Sequence, residues 1–276
     1  MSKPGAWSTA EGAASWQASA ALRQQSMAET TELLLSAAGV VPGARVLEIG
    51  AGTGDVSLLV ADRVGPGGAV LATDASAPML EIAARLAREA GLANVSTRTA
   101  RAEDLDLPHV SFDAAVSRNC FMFVTDVPRA LRAIRKGLRR GGRLAASVWG
   151  PAERNPYHGV PVAAVRRRGA IPTPVPEVVQ AFSLSDGETL ATAMREAGFR
   201  GVGIQRAKAA RSFPSLDDAL RIAREFPTFV ALLSGLGDHE REAVWDEVGQ
   251  EWRRFATGGA LELPGEQLVI SGENRG

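Results

Sequence analysis

The stretch Val46-Leu47-Glu48-Ile49-Gly50-Ala51-Gly52-Thr53-Gly54 combines a short apolar run, one acidic residue and three alternate glycines. The run predicts a buried strand, and the glycines predict a turn whose backbone takes positive φ and lets a ligand come close. A helix is predicted from Asp55, so unpaired N–H groups at its start face that turn. A dinucleotide fingerprint, Gly-x-Gly-x-x-Gly, counted from Gly50 would need a glycine at position 55. Asp55 stands there and would oppose a pyrophosphate, which argues against a nicotinamide dehydrogenase.

Working outward, Ala69-Val70-Leu71-Ala72-Thr73 reads as a second strand closed by Asp74. That carboxylate falls about twenty residues past the glycines, the offset at which it can accept both ribose hydroxyls. Ser76 then caps a helix with Pro78 in its first turn and Gly91 at its stop. Val95 to Thr99 and Ser111 to Ser117 read as further strands. Val127 to Arg140 reads as a helix ending in basic residues, and Gly141-Gly142 breaks it before a strand from Arg143 to Trp149. This alternation predicts an α/β fold with a doubly wound, mostly parallel sheet. Glu48 to Gly54, Asp74, Ala102 to Glu103 and Ser117 to Cys120 all fall at carboxyl ends of strands, the edge where such sheets bind ligands.

The acidic-x-Gly-x-Gly-x-Gly turn, Asp74, the segment Ala102-Glu103-Asp104-Leu105, Ser111-Phe112-Asp113 and Leu138-Arg139-Arg140-Gly141-Gly142-Arg143-Leu144 together resemble class I S-adenosylmethionine (SAM)-dependent methyltransferases. The resemblance is to bacterial quinone-type (ubiquinone/menaquinone C-methyltransferase-like) and secondary-metabolite enzymes. It covers about residues 40 to 206 and the terminal strand. It implies a seven-stranded Rossmann-like sheet, SAM as methyl donor and S-adenosylhomocysteine (SAH) as product. SAM carries a sulfonium and an amino acid group but no phosphate, so Glu48 and Asp55 suit it. The resemblance further implies cofactor contacts from Glu48, Gly50, Ala51 and Gly52, with Asp74 on the ribose and Ala75 and Met79 beside the adenine. Ala102 N–H and Glu103 are implied to read the adenine edge, with Asp104 as a competing acceptor. Arg101 stands where the family usually has an aspartate. Ser117 and Arg118, with Asn119 and Cys120, follow the fourth strand, where relatives meet the methionine part or the acceptor.

Thirty-one basic and thirty-one acidic residues give no net charge, so nothing draws the whole chain to nucleic acid or anionic lipid. Arg139-Arg140 and Arg166-Arg167-Arg168 read as solvated helix ends. Cys120 is the single cysteine, which excludes an internal disulfide, and with three histidines it spells no zinc site. No apolar stretch approaches the about twenty residues of a membrane span. The expected setting is cytoplasmic, with no metal, no membrane, and a monomer or homodimer.

Residues 1–40 are expected to form a helical segment over the cofactor, with Trp7 and Trp16 either closing over it or anchoring the fold. Residues 41–276 would form the methyltransferase domain, with cap insertions at about 150–186 and 207–263. The second insertion reads as helices before a last strand, Gln267 to Ser271. One helical face carries Leu216, Ala219, Leu220, Ala223 and Phe226, another Val244, Val248 and Trp252. Either face could pack on the sheet or line a substrate chamber.

A sulfonium methyl is already electrophilic, so an aligned nucleophile supplies much of the acceleration, and a base helps only a hydroxyl or phenol acceptor. His158 and Tyr157, entering the cap after the fifth strand, are the candidate catalytic pair. His109 and His239 read as exposed. Phe121, Met122, Phe123, Phe226, Phe229 and Leu232 are expected to surround an apolar acceptor. Methyl transfer to a small aromatic or polyketide-like molecule, oxygen before carbon or nitrogen, is the leading expectation. A SAM-binding protein with a different reaction or a regulatory role is the alternative.

Overall fold

The computed structural model describes residues 6–276. Residues 1–5 of the expected N-terminal segment lie outside the described residues. Three helices come first: α1 (Ala10–Ala18), α2 (Ala20–Ser26) and α3 (Ala28–Ala38). The alternating unit follows as β1 (Arg45–Ile49), α4 (Asp55–Val64), β2 (Ala69–Asp74), α5 (Ala77–Glu89) and β3 (Val95–Thr99). It continues with β4 (Phe112–Arg118), α6 (Val127–Gly137) and β5 (Leu138–Trp149). After these come α7 (Pro156–Arg167), α8 (Glu177–Gln180), α9 (Glu188–Glu196) and β6 (Arg200–Lys208). The chain closes with β7 (Arg211–Phe213), α10 (Leu216–Glu225), α11 (Pro227–Leu232), α12 (Asp238–Arg253), β8 (Ala256–Thr257), β9 (Ala260–Leu263) and β10 (Glu266–Glu273).

Seven strands form the main sheet in the order β3-β2-β1-β4-β5-β10-β6. β10 runs antiparallel to both neighbours, while the pairings among β1 to β5 are parallel. Alternate residues face opposite sides. Val46, Val70, Val116, Ala145 and Val269 pack with Leu34 of α3 and Val60 of α4. Leu47, Ile49, Leu144, Ala146 and Ile270 pack with Leu131 of α6 and Leu190 of α9 on the other side. Burying each large side chain of this kind stabilises the fold by about 1.5–3 kcal/mol. β1 pairs with β2 on one side and β4 on the other, so the strand order reverses there and a crevice opens beyond their carboxyl ends.

Local chemistry sets the helix ends. Ser76 Oγ accepts the Met79 N–H at 3.3 Å, and Asp126 Oδ1 accepts that of Arg129 at 2.9 Å. Each cap is worth about 1 kcal/mol. α6 stops at Gly137, three residues before the expected end at Arg140, with Arg135 and Lys136 in its last turn. A Cβ on Gly137 would come 2.9 Å from Leu107, so the loop before β4 seals the helix end. Arg139 and Arg140 therefore open β5, where Arg139 pairs with Asp113 of β4 at 2.5 Å. The last strand, Glu266–Glu273, extends beyond the expected Gln267 to Ser271 at both ends.

A second core lies above the carboxyl edge. There the region 207–263 departs from the helices-only expectation, because β7, β9 and β8 form an antiparallel sheet packed with α10, α11 and α12. The apolar faces of α10 and α12 meet within this core, where Ala219, Ala223, Val244 and Val248 are fully buried. They do not cover the seven-stranded sheet. Trp252 fills the centre and donates its indole N–H to the Pro156 carbonyl at 3.0 Å. Arg167 and Arg168, at the end of α7, both pair with Glu247 of α12. Among the first three helices, α3 belongs to the sheet layer, whereas α1 and α2 lie towards the crevice. No helix among the described residues is long and apolar enough to cross a membrane.

Candidate active site

The glycine turn sits in the crevice with Gly50, Gly52 and Gly54 at φ of 72°, 56° and 90°. A Cβ on Gly50 would lie 2.4 Å from that of Cys120, so glycine is required where the turn crosses the end of β4. Asp74 ties the turn to the end of β2. Its Oδ2 accepts the Gly52 N–H at 2.9 Å and its Oδ1 accepts the Ser76 N–H at 2.8 Å. Burial raises its pKa against the opposing backbone bonds from Ser76, Gly52 and Ala75. A carboxylate has about four lone-pair positions, so both oxygens can still accept ribose hydroxyls.

Beneath the turn, Glu48 is almost fully buried and accepts a short hydrogen bond from Ser57 Oγ. Burial pushes its pKa up to about 7, with the Ser57 bond and the Arg118 charge holding it down. Asp55, at the first turn of α4, is shared by two guanidinium groups: Arg23 Nη2 at 2.8 Å and Arg118 Nη2 at 3.3 Å. Arg23 also donates to the Trp16 carbonyl at 2.5 Å and lies 4.1 Å from the Trp16 ring centroid. These contacts strap α1 and α2 to the start of α4. Arg118 donates as well to Thr31 Oγ1 at 2.9 Å. Burial lowers the pKa of both arginines, and the Asp55 charge opposes it. Two cations sharing one carboxylate beside a buried acid put both signs of charge at this end of the cavity. Ser117 lies outside the cavity wall: it is fully buried, and its hydroxyl donates to the Ile49 carbonyl at 3.0 Å.

Ala75, Met79, Ala102 and Glu103 line the next part of the cavity. Arg101 pairs with Glu103 at 2.5 Å, so the residue standing in place of the family's aspartate fixes the glutamate. Burial raises the Glu103 pKa, but the bonds from Arg101 and the backbone outweigh it and the net shift is downward. Asp104 is half exposed, paired with Arg129 at 3.0 Å, and off the cavity wall. Trp7 and Trp16 meet edge to face at 5.6 Å, and Trp7 meets Phe123 at 5.1 Å. Ser76 Oγ donates to the Trp7 carbonyl at 2.7 Å, and a Cβ on Gly52 would lie 3.5 Å from Trp16 Nε1. Both tryptophans line the cavity over the turn.

The same cavity, about 340 Å³, runs on to the cap and is lined there by Trp149, Tyr157, His158, Val178, Ile222 and Phe226. Phe121 and Met122, expected on this wall, turn instead into the sheet core. Phe229 and Leu232 are likewise fully buried in the cap core, leaving Phe123 and Phe226 as the phenylalanines that reach the cavity. Tyr157 stacks on Trp252 at 5.3 Å and Phe213 at 5.6 Å. The Arg211 guanidinium lies 4.4 Å from its ring centroid.

Arg211 Nη2 also lies 3.3 Å from His158 Nε2. A guanidinium only donates, so Nε2 accepts and the imidazole proton sits on Nδ1. Burial, then the Arg211 charge, holds the His158 pKa well below its ordinary value. The expected general base therefore has its free lone pair already engaged by a cation. Burial raises the Tyr157 pKa against Arg211, so the phenol stays protonated. Burial, followed by the Asp74 charge, pushes the Cys120 thiol up to about 12, which leaves it no nucleophile at neutral pH. His109 and His239 are exposed. Arg23 and Arg211 are cavity residues that sequence reading missed, because each lies in a segment with no motif and reaches the crevice only through tertiary packing.

Residues 46–142 match the family model described as a methyltransferase domain. The ubiquinone/menaquinone biosynthesis C-methyltransferase UbiE of Vibrio vulnificus is 37% identical over 111 residues, 40% of this chain and 43% of that protein. Nocamycin O-methyltransferase of Saccharothrix syringae is 33% identical over 142 residues, 51% of this chain and 47% of that protein. The chain thus spans less than half the length of these curated relatives. In fold it is similar to Haemonchus contortus phosphoethanolamine N-methyltransferase 2 in complex with SAM, with a TM-score of 0.57 at 16% identity over 97% of this chain and 58% of that one.

Proposed function

We propose that this chain, which has the class I SAM-dependent methyltransferase fold and carries the methyltransferase-domain core at residues 46–142, transfers a methyl group from SAM to a small molecule. The observation that carries the reading is one continuous cavity joining the glycine turn, Asp74 and Glu103 to an aromatic chamber at the cap. In this reading Asp74 holds the ribose, Met79 and Ala102 flank the adenine, and Glu103 takes its amino group. Arg23, Arg118 and Glu48 hold the amino acid end. When bound, SAM supplies an electrophilic methyl group.

The protein's part is then orientation and exclusion of water. Trp149, Tyr157 and Phe226 seat an apolar ring, and Trp7 and Trp16 close the cofactor side. With His158 kept neutral and turned to Arg211, an acceptor atom that is already nucleophilic needs no base from the chain. The relatives are named for carbon and oxygen transfer, and an aromatic or polyketide-like oxygen acceptor that enters already ionised, as its oxyanion, is the one we favour for this chamber. The test is SAH release from SAM in the presence of candidate acceptors, alongside calorimetric titration with SAM and SAH. Tight SAM binding with no SAH released across aromatic and polyketide-like acceptors would favour a SAM-dependent reaction of another kind.

A further inference from the structure

The cap end of the cavity holds a buried cation that makes no ion pair among the described residues. Arg211 is 7% exposed and lines the cavity, yet it takes part in none of the ion pairs among the described residues. Its neighbours are a neutral imidazole at 3.3 Å and the face of the Tyr157 ring at 4.4 Å. Neither offsets the cost of removing a full charge from water as a carboxylate would. A guanidinium has five N–H donors in a planar fork, and His158 accepts from one nitrogen.

Two other polar atoms at the same end lack partners. His158 Nδ1 and Thr228 Oγ1 are both buried with no hydrogen bond, and both residues line the cavity. The other two cavity arginines differ, since Arg23 and Arg118 share Asp55. Their pair is placed by Glu48 and the glycine turn, where the cofactor's own carboxylate would go. Arg211 lies in the chamber walled by Tyr157, Trp149 and Phe226, near enough to Arg23 for the two charges to oppose each other. A buried, fork-shaped cation with unpaired donors beside aromatic walls is the complement of a flat acid.

We propose that the acceptor is an aromatic carboxylate whose anionic group docks on Arg211, with His158 holding the guanidinium in place and Thr228 available to the second oxygen. This rests on the methyltransferase reading for the word acceptor, but not for the anion site itself. Burying the anion satisfies Arg211 and selects against neutral analogues of the same shape, because those leave the cation unpaired.

The experiment uses the full chain saturated with SAH and the matched probes benzoate and benzamide, followed by calorimetry and by the ring signals of His158. Benzoate is expected to bind saturably, at least about tenfold more tightly than benzamide, and to shift the His158 signals. In Arg211→Gln the preference should vanish with SAH affinity unchanged, and Arg211→Lys should restore part of it. The proposal is overturned if benzoate does not saturate, if benzamide binds equally, or if the preference survives in Arg211→Gln. It is also overturned if Arg211→Gln loses SAH affinity, since Arg211 would then serve the cofactor. A chain that binds no SAH but shows the Arg211-dependent preference for benzoate keeps the anion site and loses the methyltransferase reading.

Discussion

With the cofactor's ammonium beside it, as proposed, Glu48 should make SAH affinity depend on pH in a definite direction. Its carboxyl is 1% exposed and raised from the ordinary 4.5 to about 7 by burial. A ligand ammonium placed beside it favours the ionised form, so binding below about pH 7 must expel a proton. At pH 6 about one-tenth of the empty protein has Glu48 ionised, against about nine-tenths at pH 8. The difference is about 1.4 kcal/mol, or about tenfold in the SAH dissociation constant, with weaker binding at pH 6. Calorimetry at pH 6 in buffers of different ionisation enthalpy should show release of about 0.9 proton per SAH bound. Glu48→Gln carries any titration of the ligand itself and supplies the baseline, so its affinity should lose this component. Affinity equal at both pH values in the parent chain, or proton uptake on binding, would refute the placement of the ammonium on Glu48. The empty protein has a matching signature. Because the folded-state pKa lies above the unfolded one, the stabilisation from Glu48 is fully present below about pH 4.5 and is lost as the pH rises through about 7, by about 3 kcal/mol in all.

Asp74→Ala should weaken SAH binding by roughly 1.5–3 kcal/mol, the scale of hydrogen bonds to a charged group, and titration calorimetry reads this directly. Glu103→Ala should weaken SAH binding whereas Asp104→Ala should not, and the double variant should match Glu103→Ala within error. Gly52→Val should abolish binding while leaving the fold intact by circular dichroism, because φ is +56° there and the new side chain enters the space between the turn and Trp16. Trp252→Ala should cost about 3–5 kcal/mol in denaturant unfolding, since it opens the centre of the cap core and removes the bond to Pro156.

The parts of this protein that could be read from sequence are those set by local pattern. β1 and the glycine turn were legible because an apolar run, an acid and alternate glycines lie within nine residues. Asp74 was legible because its offset from the turn follows from the length of one helix. Ala102 and Glu103 needed the family pattern as well, and even that could not show that Arg101 would hold Glu103 rather than leave Asp104 as a substitute. Arg139 and Arg140 were misread because a helix ending in basic residues and a strand starting with them look alike locally. Only the pairing of Arg139 with Asp113 on β4 separates the two. Phe121 and Met122 face the core while Phe123 reaches the cavity, because a tight helical turn follows β4 and residues around such a turn point in different directions. Arg211 was hidden for another reason: it opens a three-residue strand in the cap, and its place on the cavity wall beside Tyr157 and His158 exists only once that cap is folded.

In the proposed reading the turn at Gly50 to Gly54 holds SAM at the point where the strand order reverses. The most direct measurement is a structure of the protein with SAH. The expected result has the ribose hydroxyls on Asp74, the adenine between Met79 and Ala102, and the amino acid end among Glu48, Arg23 and Arg118. SAH found elsewhere, or a cavity that takes NAD at the glycine turn and leaves SAH in solution, would contradict it.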